Sequence, residues 1–137
     1  MSLGHPVTPQ ARKLGIKPGM AVALDSAPEG WGLTDPPPGL KLLDGGRAEP
    51  VDVVIAFFRR SADLAERLPA LARRIFPAGA LWVAWPRRAA GHRSDLTDTG
   101  IRACALPLGV VDVKVAAIDD DWSALKLVWR VENQGRG

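Results

Sequence analysis

Two apolar runs separated by one amphipathic segment constrain the fold of this chain more than any other feature. The runs are VDVVIAFF at 51–58 and ALWVAW at 80–85, both rich in β-branched or aromatic residues. Runs of this kind are typical of strands that are buried on both faces of a parallel sheet. Between them, apolar residues recur at spacings of three and four, which predicts a helix over 61–76. The stretch therefore predicts a β-α-β unit.

The sequence also predicts how this helix begins and a second helix further on. Ser61 is the expected N-cap, and the apolar face is expected to comprise Leu64, Leu68, Leu71, Ala72 and Ile75. Pro69 lies inside the pattern and lacks a backbone N–H, so we expect it to bend or split the helix. A second helix is predicted within 96–109, capped by Ser94 or Asp95.

The remaining strands are shorter or only half apolar. Strands are predicted near 20–25 and 40–44, and a closing pair is predicted from VVDVKVAAID and SALKLVWRV. In the first of the pair, Val111, Val113 and Val115 alternate with Asp112 and Lys114. Such alternation is typical of a half-exposed antiparallel hairpin. Two short helices are also expected, one in TPQARKLGI near the N-terminus and one of at most two turns in APEGWGLTDPPPG.

Strands that alternate with helices predict an α/β fold. We expect a three-layer sandwich with a mostly parallel, Rossmann-like sheet of about six strands that ends in an antiparallel hairpin. Residues 1–8 are interpreted as a flexible arm, 9–132 as a single domain and 133–137 as a flexible tail.

Composition narrows the class of protein. The chain has 137 residues, which suits one compact domain, and a single cysteine, which excludes an internal disulfide. No apolar run approaches the roughly 20 residues that cross a bilayer, so a cytoplasmic location is the expectation. The net charge of +3 and the absence of tyrosine do not favour nucleic-acid binding, which usually needs a basic stripe with aromatic side chains.

Several motifs together resemble a known family. KLGIKPGM, APEG, LPALARRIFPAGALWVAWPRR, SDLT and DDDWSALKL are similar to the domain-of-unknown-function family 3052, an uncharacterised bacterial family. The closing hairpin and the order of elements also resemble a reduced class I methyltransferase-like Rossmann core. Where the family usually has two lysines, this chain has Arg87-Arg88, which keeps the charge and changes its geometry. The resemblance implies a fold and no established reaction.

The loop after the first predicted strand is a candidate cofactor loop. Its residues are Asp25, Ser26, Ala27, Glu29 and Gly30. Cofactor loops use several glycines for close backbone approach and an acidic side chain for a ribose. Here only one glycine is present and Pro28 removes an amide donor, so the loop is degenerate and S-adenosylmethionine is the less favoured alternative to no cofactor. A tight strand–helix turn with no ligand explains the same residues.

Arginines cluster at the ends of the two buried strands. The candidate anion-binding residues are Arg59, Arg60, Arg87, Arg88, Arg93, Ser94 and Thr97. Ligands of open α/β sheets bind beyond the carboxyl ends of the strands, near the switch in strand order. Arginine forks bind phosphate and carboxylate there, although a solvated surface with ion pairs explains the same pattern.

No catalytic set accompanies these residues. His92 has no evident nucleophile, Cys104 lies between apolar neighbours, and Asp119 to Asp121 suit a hairpin turn without a metal. The sequence therefore favours a non-enzymatic binding protein for a small anionic ligand or an acidic protein partner, with a small transferase that uses S-adenosylmethionine on an anionic substrate as the alternative. Homodimerisation stays open.

Five tryptophans carry further expectations. Trp82 and Trp85 are three residues apart on one strand, so they should point to opposite faces of the sheet. Trp122 or Trp129 is a candidate for an exposed patch. Trp31 follows Gly30, and the question it raises is whether its ring fills the space of a vacated cofactor or leaves it open.

Overall fold

The computed structural model describes residues 14–33, 38–44, 51–76, 78–87, 96–118 and 121–130. The strands are β1 (Ala21–Asp25), β2 (Lys41–Asp44), β3 (Val53–Phe57), β4 (Ala80–Pro86), β5 (Val110–Ala117) and β6 (Trp122–Trp129). The helices are α1 (Ser61–Arg74) and α2 (Asp98–Ala105), and a 3₁₀ turn (Leu106–Leu108) follows α2. The predicted arm, tail and TPQARKLGI helix lie outside these residues, except for Leu14 to Ile16.

The described strands form one mixed sheet in the order β2-β1-β3-β4-β6-β5. The four strands from β2 to β4 are parallel, whereas β6 is antiparallel to β4 and β5 is antiparallel to β6. This confirms the mostly parallel sheet with a closing hairpin. The chain runs from β1 to β2 on one side and returns to β3 on the other, so the switch in strand order lies between β1 and β3, as predicted.

Both described helices pack against the same face of the sheet. The buried residues of α1 recur at the predicted spacing, and all the predicted apolar positions are confirmed: Leu64, Leu68, Leu71, Ala72 and Ile75. Pro69 does not split the helix, which runs unbroken from Ser61 to Arg74. A proline costs one hydrogen bond, and burial of the leucines on either side offsets that loss. The N-cap is Arg60, one residue before the predicted Ser61, and its side chain makes no capping hydrogen bond.

Irregular segments cover the opposite face. Leu14 and Ile16 are buried there, as predicted, and Trp82 is fully buried beneath them. The Trp82 Nε1 donates to the Leu14 carbonyl at 2.9 Å, and the Lys126 ammonium lies 5.9 Å from the Trp82 ring centroid. Trp85 packs on the helical face, which confirms the opposite directions of the two tryptophans. Among the described residues, the sheet therefore lies between a layer of helices and a layer of segments without helix or strand.

The second helix begins later than predicted. Its N-cap is Thr97, whose Oγ1 accepts a hydrogen bond from the Gly100 N–H at 3.0 Å. The two residues predicted as caps, Ser94 and Asp95, lie outside the described residues and before this turn. A cap must directly precede the first helical turn to reach its free N–H groups, and only Thr97 does. The helical segment ends at Gly109, as predicted, with φ of 96°.

The hairpin departs from the predicted alternation in β5. The pairing with β6 shifts between Asp112 and Lys114, so one additional residue is accommodated in the ladder. An insertion of this kind interrupts the two-residue period, and Val113 and Val115 are 56% and 52% exposed. The predicted antiparallel hairpin is confirmed, and it leaves these two valines on its exposed side. Asp112 instead accepts from Arg102 Nε of α2 at 2.8 Å, and this bond raises the pKa of Arg102.

Candidate functional site

The loop after β1 forms a tight turn in place of the predicted short helix. The Trp31 N–H donates to the Pro28 carbonyl at 3.0 Å, and Gly30 between them has φ of 79°. These values define a type II turn, in which the third position favours glycine. Ser26 precedes the turn with φ of 58°, a left-handed conformation that is uncommon for serine. The helix prediction is wrong here because Gly30 is used for a reversal of the chain.

Trp31 is held in a row of three aromatic rings. Its centroid lies 4.8 Å from that of Phe57, and the Phe57 centroid lies 5.0 Å from that of Trp122, with both pairs edge to face. The Arg59 guanidinium lies 5.2 Å from the centroid of the Trp122 ring. Aromatic pairs in this geometry are stabilising beyond the area they bury. The row connects the first loop, the end of β3 and the start of β6.

The carboxylate at the end of β1 is paired within the protein. Arg67 of α1 donates to Asp25 through Nη2 at 2.7 Å and through Nε at 3.4 Å. Asp25 is only 6% exposed, so its charge needs such a partner. The acidic side chain that the sequence offered to a ribose is thus satisfied by an arginine on the neighbouring helix.

A cleft of about 440 Å³ opens beside this pair. It lies at the carboxyl ends of β1 and β3, where the strand order switches, and we call it the edge cleft. The described residues that line it are Ser26, Pro28, Phe57, Phe58, Arg59, Asp63, Glu66, Arg67 and Trp122. Its size is within the range of small-ligand sites, about 300–1,000 Å³. Trp31 is not among these lining residues, so its ring packs on Phe57 without filling the cleft.

The edge cleft carries charges of both signs. Arg59 and Arg67 line it together with Asp63 and Glu66, which lie on the first two turns of α1. Arg67 is engaged by Asp25, whereas Asp63 and Glu66 form no ion pair with any residue that the structure describes. The Arg59 guanidinium and these two carboxylates therefore face one cleft without neutralising one another by direct contact.

Of the predicted anion-binding residues, the structure places Arg59 in the edge cleft. Arg60 is exposed next to it and does not line the cleft. The Arg87 N–H donates to the Asp121 carbonyl at 2.8 Å, beyond the end of β4, and the Thr97 hydroxyl caps α2. Arg88, Arg93 and Ser94 lie outside the described residues.

Of the predicted cofactor loop, Ser26 contributes directly to the cleft. Ala27 packs on the apolar face that Trp31 covers, while Glu29 and Gly30 are exposed in the turn. With no helix starting at this turn, the loop lacks the aligned amides that hold an anion at a helix N-terminus.

Sequence reasoning missed most of the cleft wall. Asp63, Glu66 and Arg67 were read only as part of a helix, and Trp122, predicted for an exposed patch, is 6% exposed and forms part of the floor. The other candidate for that patch, Trp129, is half-buried and donates from Nε1 to the Ala72 carbonyl at 2.9 Å. A usable signal existed, because the first two turns of a helix that follows a switch-point strand always lie at the carboxyl edge.

Solved structures define the class of this fold. A fibrillarin pre-rRNA processing protein from Methanococcus jannaschii is similar with a TM-score of 0.56 and 15% identity over 92% of this chain and 70% of that one. Magnesium protoporphyrin IX methyltransferase from Synechocystis PCC 6803, with bound S-adenosylmethionine, has a TM-score of 0.55 and 10% identity over 88% and 74%. The fold is therefore that of the class I methyltransferase-like Rossmann proteins.

The amino-acid sequence identifies the family to which the chain belongs. Residues 37–131 match the family of proteins of unknown function DUF3052, and the chain belongs to it. Two motifs that suggested this family, at 13–20 and 27–30, lie before the matched range. No curated protein matches the sequence.

These likenesses show the fold alone. An O-methyltransferase from neocarzinostatin biosynthesis, in complex with S-adenosylmethionine, is similar with a TM-score of 0.53 and 10% identity over 66% of this chain. This chain spans 34% of that enzyme and 52% of another of the similar methyltransferase structures.

Among the described residues, no group of histidine, cysteine and acidic side chains is arranged to hold a metal, and no helix is long and apolar enough to span a bilayer.

Proposed function

We propose that this protein is a non-enzymatic binding protein on a methyltransferase-like scaffold, and that it takes a small anionic ligand in the edge cleft. The observation that carries the proposal is the position of Arg59, which lines a cleft of about 440 Å³ at the switch between β1 and β3. A guanidinium that rests on the Trp122 ring is already oriented and binds a carboxylate or phosphate with little further ordering.

The lining residues favour binding over catalysis. Ser26 supplies a hydroxyl, but the described lining includes no histidine to pair with it and no cysteine to act as a nucleophile; Asp63 and Glu66 are its acidic groups. The carboxylate of Asp25 is occupied by Arg67 and leaves the first loop without a free acidic group at the strand end. These features fit a scaffold that holds a ligand and does not transform it.

Isothermal titration with inorganic phosphate and with adenosine monophosphate tests the proposal, with Arg59→Ala and Arg60→Ala as matched variants. The two arginines are adjacent and exposed, and only Arg59 lines the cleft. We expect Arg59→Ala to weaken binding by about tenfold or more, and Arg60→Ala to change it by less than about threefold. Equal effects of the two variants would contradict a site in the edge cleft, as would the absence of any carboxylate or phosphate probe whose binding depends on Arg59.

The same titration tests whether the wider arginine cluster contributes to binding. If Arg87 and Arg88 contribute, their joint replacement by alanine should weaken the phosphate interaction further. Unchanged binding would confine the site to the cleft that Arg59 lines. A cytoplasmic location and a homodimer remain part of this proposal as predictions from the sequence.

A small methyl transferase that acts on an anionic substrate is the second candidate. Two of the similar solved structures are methyltransferases with S-adenosylmethionine bound, and the edge cleft adjoins the loop after β1. Titration with S-adenosylmethionine distinguishes the two functions. A dissociation constant tighter than about 1 mM would favour the transferase, and absence of binding would leave the non-enzymatic function.

A further inference from the structure

The charges in the edge cleft limit the ligand more closely than one arginine does. Arg59 supplies a positive group on one wall, and Asp63 and Glu66 supply two negative groups from α1. Both carboxylates are exposed, and neither is paired with an arginine or a lysine that the structure describes. Arg67 adds no free positive charge, because it holds the buried carboxylate of Asp25.

We infer that the ligand of the edge cleft is a small zwitterion that carries an ammonium group as well as a carboxylate. The inference rests on the proposed function and adds a positive charge to the ligand. A ligand with only negative charge would meet two carboxylates of like sign in the same cleft, and their repulsion would oppose the attraction of Arg59. An ammonium group placed between Asp63 and Glu66 turns that repulsion into attraction.

The floor of the cleft adds an aromatic preference. Phe57 and Trp122 line it, meet edge to face, and are 3% and 6% exposed. Pro28 lies at the loop side of the same cleft. Apolar walls with a few convergent polar groups are typical of small-molecule sites, and here they suit a ring on the body of the ligand. An aromatic α-amino acid combines the three features.

Three probes with one carbon frame separate the contributions. L-Phenylalanine carries both charges, 3-phenylpropionate lacks the ammonium group, and 2-phenylethylamine lacks the carboxylate. Titrated into the full chain, L-phenylalanine should bind about tenfold tighter or more than each of the others, because each lacks one charged contact. Equal or tighter binding of 3-phenylpropionate would overturn the inference.

Substitutions in α1 test whether Asp63 and Glu66 bind the ammonium group. Asp63→Asn with Glu66→Gln should weaken L-phenylalanine by about tenfold and leave 3-phenylpropionate unchanged or tighter. Glu29→Gln is the control, since Glu29 is an exposed acid of the first loop that does not line the cleft. A double variant that binds L-phenylalanine like the wild type would overturn the inference.

The outcomes also separate this inference from the proposed function. If phosphate binds through Arg59 and none of the three probes binds, the ligand is an anion, the inference fails and the proposed function stands. If no probe depends on Arg59, both fail.

Discussion

Arg67 reaches from α1 to the end of β1, where its Nη2 donates to Asp25 Oδ1 at 2.7 Å. The two residues are 42 positions apart in the chain, and the pair fixes the helix against the strand at the switch in strand order. The Asp25 carboxylate is buried, so the guanidinium compensates a charge that is largely removed from water. One wall of the edge cleft therefore owes its position to this contact.

Removing the Arg67 side chain should destabilise the protein. Arg67→Ala leaves a buried carboxylate without its partner, and we expect a loss of about 1–3 kcal/mol in the free energy of unfolding, since Arg67 is itself partly exposed. Urea unfolding followed by circular dichroism measures it. Arg73→Ala, on an exposed position of the same helix, should change stability by less than about 0.5 kcal/mol. Similar losses for the two variants would refute the role of the pair.

Trp31 should matter to stability through its ring. Trp31→Ala removes the edge-to-face contact with Phe57 and exposes the apolar face beneath, at a cost of about 2–3 kcal/mol. Trp31→Phe keeps an aromatic ring at the site and should cost about 1 kcal/mol. Guanidinium unfolding curves of the two variants give both values. An alanine variant as stable as the wild type would show that the contact of the Trp31 ring with Phe57 does not stabilise the fold.

Gly79 should tolerate no side chain. A Cβ atom there would lie 2.9 Å from the carbonyl oxygens of both Asp52 and Ile75, which are backbone atoms that move little. We expect Gly79→Ala to cost about 1–3 kcal/mol. Gly32→Ala is the control, because no atom lies within 4 Å of its Cβ position and its φ is not positive. Thermal unfolding should show a lower midpoint for Gly79→Ala alone; equal midpoints would contradict the close approach.

Thr97 should contribute as the cap of α2. Thr97→Ala removes the oxygen that accepts from the Gly100 N–H and should cost about 1 kcal/mol. Thr99 is the second residue of the same helix and is exposed. Thr99→Ala should therefore change the free energy of unfolding by less than about 0.5 kcal/mol. Chemical denaturation of both variants checks the difference. A neutral Thr97→Ala would mean that another group supplies the cap.

The sequence predicted the secondary structure correctly where buried side chains impose a regular spacing of apolar residues. The runs at 51–58 and 80–85 became β3 and β4, and the spacing of the leucines predicted α1. Periodicity cannot show, however, which exposed side chains of a helix reach a distant strand. The pairing of Arg67 with Asp25 depends on how α1 docks, and that is decided by tertiary packing.

The same limit applies to the candidate site. The sequence located the switch point correctly and included Arg59 and Ser26, both of which line the edge cleft. It treated the arginines as one cluster, although adjacent residues such as Arg59 and Arg60 face different surroundings. It also missed Trp122, because an aromatic residue next to a turn is compatible with an exposed patch and with a floor that packs against Phe57.

The position of β1 has a consequence for the boundaries of the autonomous folding unit. The family match begins at residue 37, yet β1 ends at Asp25 and pairs with β2 on one side and β3 on the other. A polypeptide starting at residue 37 would lack an interior strand, and the facing ladder bonds of both neighbours would be left unmade. It would also lose Leu14, which receives the hydrogen bond of Trp82. We therefore expect a truncation that removes Leu14 to Asp25 to destabilise the whole sheet.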